Sequence, residues 1–249
     1  MIEIKNLTKS FDGQRNITND LSLNIEKGEF LAIIGRSGEG KSVLLKQIIG
    51  LIKPTSGEIL IEGKDITQLS GLPLQEIFRK CGYVFQFAAL LDSLTVLENV
   101  GIVHLESGKT TDEMYDEVAA KIKSVGLSED SLKKYPDELS GGMKKRVGLA
   151  RTLMQSPEIL IYDEPTTGLD PISVKRIHEL MKKTHDESNA TTIVISHDVD
   201  IFNYADQVAM LYQGKIVYKG ATKDVWDCDN PYLHQFIRGL SEGPIEQSL

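Results

Sequence analysis

Two short stretches and one acidic pair carry residue types that could handle phosphate. The first stretch, GRSGEGKS, runs over Gly35, Arg36, Ser37, Gly38, Glu39, Gly40, Lys41 and Ser42 and fits the spacing G-x-x-x-x-G-K-[ST]. It follows the apolar run FLAII at 30–34 and precedes the helical pattern SVLLKQIIGLI, the strand-loop-helix setting that such a loop requires. Glycines there let backbone N–H groups close around a β-phosphate. Lys41 would neutralise charge on the β- and γ-phosphates, and the Ser42 hydroxyl would ligate Mg2+. These residues point to a nucleoside triphosphate as substrate.

The acidic pair ends the run ILIYDEP, a buried strand that delivers Asp163 and Glu164 at its C-terminal end, where α/β sheets place their ligands. Asp163 is expected to orient the magnesium shell. Glu164 is the candidate general base that positions an attacking water. Two adjacent acids before a proline could otherwise simply end a strand, and the glycine loop is what favours chemistry.

The second stretch, ELSGGMKKRVGLARTLMQ at 138–155, breaks at Ser140, Gly141 and Gly142 and runs into a helix with apolar Met143, Val147, Ala150 and Met154. Side chains cap a helix better than bare glycine, so glycines at its start suggest close approach to the backbone. Free N–H groups and the positive end of the helix dipole make such a start an anion site. One chain thus offers two phosphate-binding helix starts but a single lysine-bearing loop. The basic cluster Lys144, Lys145, Arg146 and Arg151 reads as a solvated helix face.

Elements must position these groups. Alternation in MIEIKNL, in LSLNIEKG and in GEILIEG at 57–63 predicts half-buried antiparallel strands, an N-terminal β layer. FLAII at 30–34, ILIY at 159–162, TTIVIS at 191–196 and VAMLY at 208–212 are continuous apolar runs, as parallel strands covered on both faces require. Between about residues 87 and 155 strand signals fade. TDEMYDEVAAKIKSVGL there gives helical spacing at Met114, Val118, Ile122 and Val125. The expected fold class is α/β, a P-loop core sheet with an N-terminal antiparallel β layer and an inserted α-helical subdomain. The expected division is one domain over 1–225, with the helical subdomain at about 87–155, and a C-terminal extension over 226–249. That extension holds the short amphipathic NPYLHQFIRGL and a polar end.

With 249 residues, 41% hydrophobic and 26% charged, the composition is that of a globular chain large enough for a sizeable core. A net charge of −8 argues against a nucleic-acid backbone or an anionic lipid surface as direct ligand, so no nucleic-acid partner is expected. Cys81 and Cys228 are too few for a disulfide framework, and a reducing cytosol is the default. No apolar run reaches the length of a membrane span, and the N-terminus lacks the plan of a signal peptide. Any membrane must come through a partner.

The residues resemble the ATP-binding cassette ATPases over essentially the whole chain. Besides GRSGEGKS and ILIYDEP there are LSGGM at 139–143, YVFQ ending in Gln86, TTGLD ending in Asp170 and VISHD containing His197, all in the family's order. The resemblance implies ATP hydrolysis with ATP and Mg2+ as cofactors. It implies that Gln86 senses the metal and the attacking water, His197 contacts the γ-phosphate, Asp170 lies in a loop that meets a partner subunit, and Phe11 stacks on adenine. The plainer readings are a core histidine at 197, a core aromatic at 11 and a turn residue at 86. The second glycine-opened helix would then bind the γ-phosphate of a nucleotide held by another copy, and two copies about a two-fold axis would complete each other's sites.

Three local features narrow the resemblance: Met143 after LSGG, FAALLDSLTVLENV after Gln86, and the tail FIRGLSEGP. They look like the ATPase subunits of Mla-type, MCE-associated phospholipid transporters. This implies a homodimer on the cytoplasmic face of the inner membrane, held there through integral-membrane permease subunits. An MCE-domain lipid-binding protein and, in some systems, a STAS-domain protein complete such assemblies. Phe87, Ala88, Leu90, Leu91 and Leu94 would offer a permease its docking surface, unless they pack the subdomain's own core. A small-solute importer and a non-transport regulator of cell-wall enzymes are the rival readings.

Overall fold

The computed structural model describes residues 2–246; Met1 and the last three residues of the expected C-terminal extension lie outside the described residues. In chain order the first elements are β1 (Ile2–Ser10), β2 (Asn16–Ile25), β3 (Phe30–Ile34), α1 (Lys41–Ile48), β4 (Ser56–Ile61), β5 (Lys64–Asp65) and α2 (Leu72–Lys80). There follow β6 (Cys81–Val84), α3 (Val96–Val100), α4 (Ile102–Glu106), α5 (Thr111–Ser124), α6 (Gly141–Leu153), β7 (Ile159–Asp163) and α7 (Pro171–Ser188). The chain ends with β8 (Thr191–Ile195), β9 (Gln207–Tyr212), β10 (Lys215–Ala221) and α8 (Pro231–Arg238). It divides into two compact units: residues up to Phe78 with those from Asn189 onward, and Arg79–Ser188 between them.

In the first unit β1 pairs antiparallel with β2, Ile2 opposite Ile25 and Ile4 opposite Leu23, and with β4, Ile2 opposite Ile61 and Ile4 opposite Ile59. Alternation therefore puts all of these isoleucines and Leu23 on one buried face, the predicted β layer. β3 runs parallel to both β8 and β9, and every residue of β3 and β8 is buried, which explains their unbroken apolar character. β10, which no sequence signal above names, returns antiparallel on β9 through Gln213 and Gly214. Both turn residues have positive φ, 46° and 73°, the type I′ geometry that matches strand twist. A Cβ at Gly214 would meet the Ile17 carbonyl oxygen at 2.8 Å.

In the second unit β6 and β7 form a parallel pair, Tyr83 opposite Ile161. The helical spacing read at Met114, Val118, Ile122 and Val125 is borne out, since all four are buried. Both α3 and α5 start on capping boxes, Thr95 with Glu98 and Thr110 with Glu113. α6 packs on α3, α5, α7 and β6. A Cβ at Gly82 would meet the Thr152 methyl at 2.6 Å, so β6 lies close against α6 because residue 82 is glycine.

Candidate functional site

In the first unit β3 ends in the glycine loop. Gly35, Gly38 and Gly40 take φ of 151°, 84° and 94°, conformations that side chains rarely adopt. A Cβ at Gly40 would also meet Ile17 Cγ2 at 2.6 Å, so this glycine is fixed twice over. Lys41 is buried and curls back across the loop, its Nζ donating to the Gly35 and Arg36 carbonyls at 2.8 Å each. A cation thus sits against backbone carbonyls at the start of α1. The side chains at the variable positions turn elsewhere. The Arg36 guanidinium donates to the Glu246 carbonyl, and Glu39 accepts from the Gln213 backbone N–H. They border a cleft of about 340 Å³ lined also by Arg15, Ile17 and Tyr212.

Phe11 is 64% exposed with Lys9 Nζ 4.9 Å from its ring centroid, which removes the core reading of this aromatic. His197 follows buried Ser196 at the end of β8 and is exposed, which removes the core reading of the histidine.

In the second unit Asp163, buried at the end of β7, accepts a hydrogen bond from the Tyr83 hydroxyl at 2.7 Å. Burial and that neighbouring carboxylate push the phenol far above its ordinary value, so it stays a donor. Glu164 has a left-handed backbone, φ 47°, which breaks the strand alternation directly after Asp163. Its Oε2 accepts from Thr167 Oγ1 at 3.1 Å and from Gln86 Nε2 at 3.4 Å. The structure therefore brings together Glu164 and Gln86, two residues 78 apart that the sequence names separately.

The glycine-opened helix needs a correction. Ser140 caps α6 with its side chain, Oγ accepting from the Met143 N–H at 3.3 Å, so the start is not left to bare glycine. Neither Gly141 nor Gly142 has positive φ, and a Cβ would meet nothing closer than Leu169 at 3.6 Å and Ser173 at 3.7 Å. Among the described residues no local geometry requires glycine at either place. Asp170 caps α7, its Oδ1 accepting from the Ile172 and Ser173 N–H groups at 3.0 and 3.1 Å; the Ser173 hydroxyl first, and then the Ser173 and Ile172 N–H groups, lower its pKa.

The basic cluster is a second correction. Lys145 donates to the Thr167 carbonyl at 2.8 Å, Arg146 to Gly126 at 2.9 Å, and Arg151 to the Ala89 and Ala88 carbonyls at 2.6 and 2.8 Å. These three half-buried side chains tie α6 to loops. The segment after Gln86 is divided in the same way. Phe87 is 83% exposed and Leu91 also exposed, Leu90 and Leu94 are half-buried, and Ala88 is buried against Gly148. Buried Asn99 holds the 91–95 turn by accepting from the Leu91 N–H and donating to the Leu91, Leu94 and Thr95 carbonyls. Sequence reasoning missed Tyr83 and Asn99 and read Lys145 and Arg151 as a solvated helix face. Burial pushes the Cys81 thiol up to about 12.

Among the described residues no group of three or more His, Cys, Asp or Glu could hold a metal, and no helix is long and apolar enough to cross a membrane.

Comparison with known proteins accords with these features. The profile of the ABC transporter family matches residues 18–167. The probable ribonucleotide transport ATP-binding protein mkl of Mycobacterium leprae is 40% identical over 99% of this chain and 71% of its own length. The intermembrane phospholipid transport system ATP-binding protein MlaF of Haemophilus influenzae is 37% identical over 98% of this chain and 93% of its own. The methionine import ATP-binding protein MetN of Carboxydothermus hydrogenoformans is 40% identical over 91% and 68%. Among solved structures, the dimeric post-hydrolysis state of the cassette MJ0796 bound to ADP and Pi gives a TM-score of 0.82 at 33% identity, covering 89% of this chain and 99% of that one. The chain is a member of the ABC transporter family, an ATP-binding subunit of the α/β P-loop fold that hydrolyses ATP.

Proposed function

We propose that this ATPase works as a homodimer that energises phospholipid transport, each copy lending its Ser140-Gly141-Gly142 helix start to a nucleotide held by the other. The observation that carries the reading in trans is the pair of unneeded glycines. Glycine within a helix is less stable than alanine by about 1 kcal/mol, yet among the described residues nothing crowds a Cβ at 141 or 142. A γ-phosphate approaching from outside the chain accounts for the bare backbone. The MJ0796 cassette has been described as a dimer in two structures, which supports two copies here.

In each copy Gly35, Arg36, Ser37, Gly38, Glu39 and Gly40 would cradle the phosphates with backbone N–H groups, and Lys41 would neutralise their charge. Phe11 would stack on the base. Ser42, Asp163 and Gln86 would supply hydroxyl, carboxylate and amide oxygens, a hard donor set that fits Mg2+. A magnesium ion held by these residues would supply charge neutralisation for the phosphates. Glu164 would orient and deprotonate the attacking water, Gln86 holding its carboxylate, while His197 would contact the γ-phosphate. Asp170 would meet the second copy, and closure of the pair would exclude solvent before chemistry.

The phospholipid reading is supported by MlaF, which this chain matches over 93% of that protein's length. The corresponding assembly would place the chain peripherally on the cytoplasmic side of the inner membrane, bound to integral-membrane permease subunits. It would add an MCE-domain lipid-binding protein and a STAS-domain protein. Exposed Phe87 and Leu91 would meet the permease. Import of a small solute is the second reading, favoured by the likeness to MetN. Purifying the complex from membranes and identifying co-eluting subunits and bound small molecules separates them. An MCE-domain protein and phospholipid support the first; a solute-binding protein and a polar solute contradict it.

A further inference from the structure

We propose that Tyr83 is a positioning residue for the metal-facing carboxylate, its hydroxyl setting the orientation of Asp163 before any cation arrives. The proposal rests on the reading of Asp163 as the residue that orients the magnesium shell. It adds to that site a group that neither the glycine loop nor the acidic pair suggests.

The geometry follows from register. Tyr83 lies opposite Ile161 in the parallel β6–β7 pair, and Ile161 and Asp163, two residues apart, share one face of β7. A long aromatic side chain reaches a diagonal neighbour, and here the hydroxyl donates to Asp163 Oδ2 at 2.7 Å. The ring is braced by Phe85, centroids 4.6 Å apart and planes at 46°. The backbone is braced from the other side, where Thr152 Oγ1 of α6 donates to the Tyr83 carbonyl at 3.3 Å and Gly82 admits that helix closely. The hydroxyl is thus delivered by a strand held on both sides.

The same strand runs into Gln86, whose amide donates to Glu164 at 3.4 Å. β6 and its extension therefore grip both acids, Tyr83 the first and Gln86 the second. A carboxylate rotates freely about its last torsion unless a donor fixes its plane, and a fixed carboxylate need not reorganise when charge arrives. Partners of this outer kind typically change metal affinity about 10- to 100-fold when removed. Tyrosine differs from phenylalanine by the donor alone, so Tyr83→Phe keeps the ring against Phe85 and removes the hydrogen bond.

The test compares the affinity of the full-length chain for a fluorescent, non-hydrolysable ATP analogue with and without Mn2+. The metal-free value reports the glycine loop, and the ratio of the two reports the metal. Tyr83→Phe is expected to leave metal-free affinity within about twofold and to shrink the Mn2+-dependent gain about tenfold. An unchanged gain in Tyr83→Phe overturns the proposal. So does a fall in metal-free affinity together with a lowered melting temperature, because that is the mark of a merely structural hydroxyl. Asp163→Asn separates the two layers. If it abolishes the gain while Tyr83→Phe does not, Tyr83 alone is misassigned; if it too leaves the gain intact, the metal role of Asp163 falls and the proposal with it.

Discussion

Replacing Arg151 by methionine removes a clamp whose contribution can be worked from its contacts. The guanidinium, half-buried on α6, donates to the Ala89 and Ala88 carbonyls at 2.6 and 2.8 Å. Burial depresses its pKa, the sign of a charge held away from water. The two alanines have φ of 48° and 58°, left-handed conformations that cost roughly 1 kcal/mol each for an L residue and persist only when surroundings impose them. Hydrogen bonds from a charged donor contribute about 1.5–3 kcal/mol each. Released carbonyls near the surface regain water and the alanines relax, so the net loss should be about 2–4 kcal/mol. For a chain of this size that is a fall in melting temperature of roughly 5–12 °C. Methionine preserves the aliphatic stem, so the loss isolates the guanidinium. Thermal melts followed by circular dichroism read the first effect. Limited proteolysis reads the second, since freeing the loop should raise cleavage beside exposed Phe87. Arg151→Lys should fall between the two, because one ammonium lacks the fork that spans both carbonyls. A melting temperature within about 1 °C of the parent, with unchanged cleavage, would refute the clamp.

Glu164→Gln should keep nucleotide affinity while turnover falls at least about 100-fold, because only the water-activating group is lost; near-normal phosphate release would remove Glu164 from that role. Lys41→Ala should weaken nucleotide binding itself, measurable by equilibrium titration, and retained affinity would contradict the charge-neutralising part given to Lys41. Glu98→Ala tests the capping box that starts α3. The Thr95 hydroxyl, and then its backbone N–H, hold the Glu98 carboxyl below its ordinary value of 4.5. Its contribution is therefore complete above that value and is lost as pH falls through the lower folded one. The variant should melt a few degrees below the parent at pH 7, an effect of about 1 kcal/mol, and the difference should close as pH falls through the lowered folded value. A pH-independent difference would show that the cap does not act through its charge.

How legible these features are in sequence depends on how local their causes are. The glycine loop is contiguous, and its spacing alone specifies phosphate chemistry. β3 and β8, buried on both faces, are unbroken apolar runs, while β1 and β2 alternate because one face alone is covered. β6 is hidden because it has four residues, one of them a glycine placed for helix contact, too few for a period to show. α7 is hidden because its 18 residues are mostly polar, with Ile177, His178 and Met181 buried among exposed charges. β10 follows a Gln-Gly turn, a weaker hairpin signal than Asn-Gly. Within the site, the Tyr83–Asp163 and Arg151–Ala89 bonds join residues 80 and 62 positions apart, and only the fold reveals them. The Lys145 and Arg151 misreading has the same origin, because a charge on a helix reads as solvated until its carbonyl partners from other loops are in place.

The central claim is that each copy completes the other's nucleotide site, and mixed dimers of Lys41→Ala and Ser140→Glu chains test it most directly. Each variant alone should be inactive as a homodimer. In a purified heterodimer both defects fall in one composite site and the other is whole, so turnover should return to about half the parent value. If the heterodimer stays as inactive as its two parents, Ser140, Gly141 and Gly142 do not serve a nucleotide on the second copy.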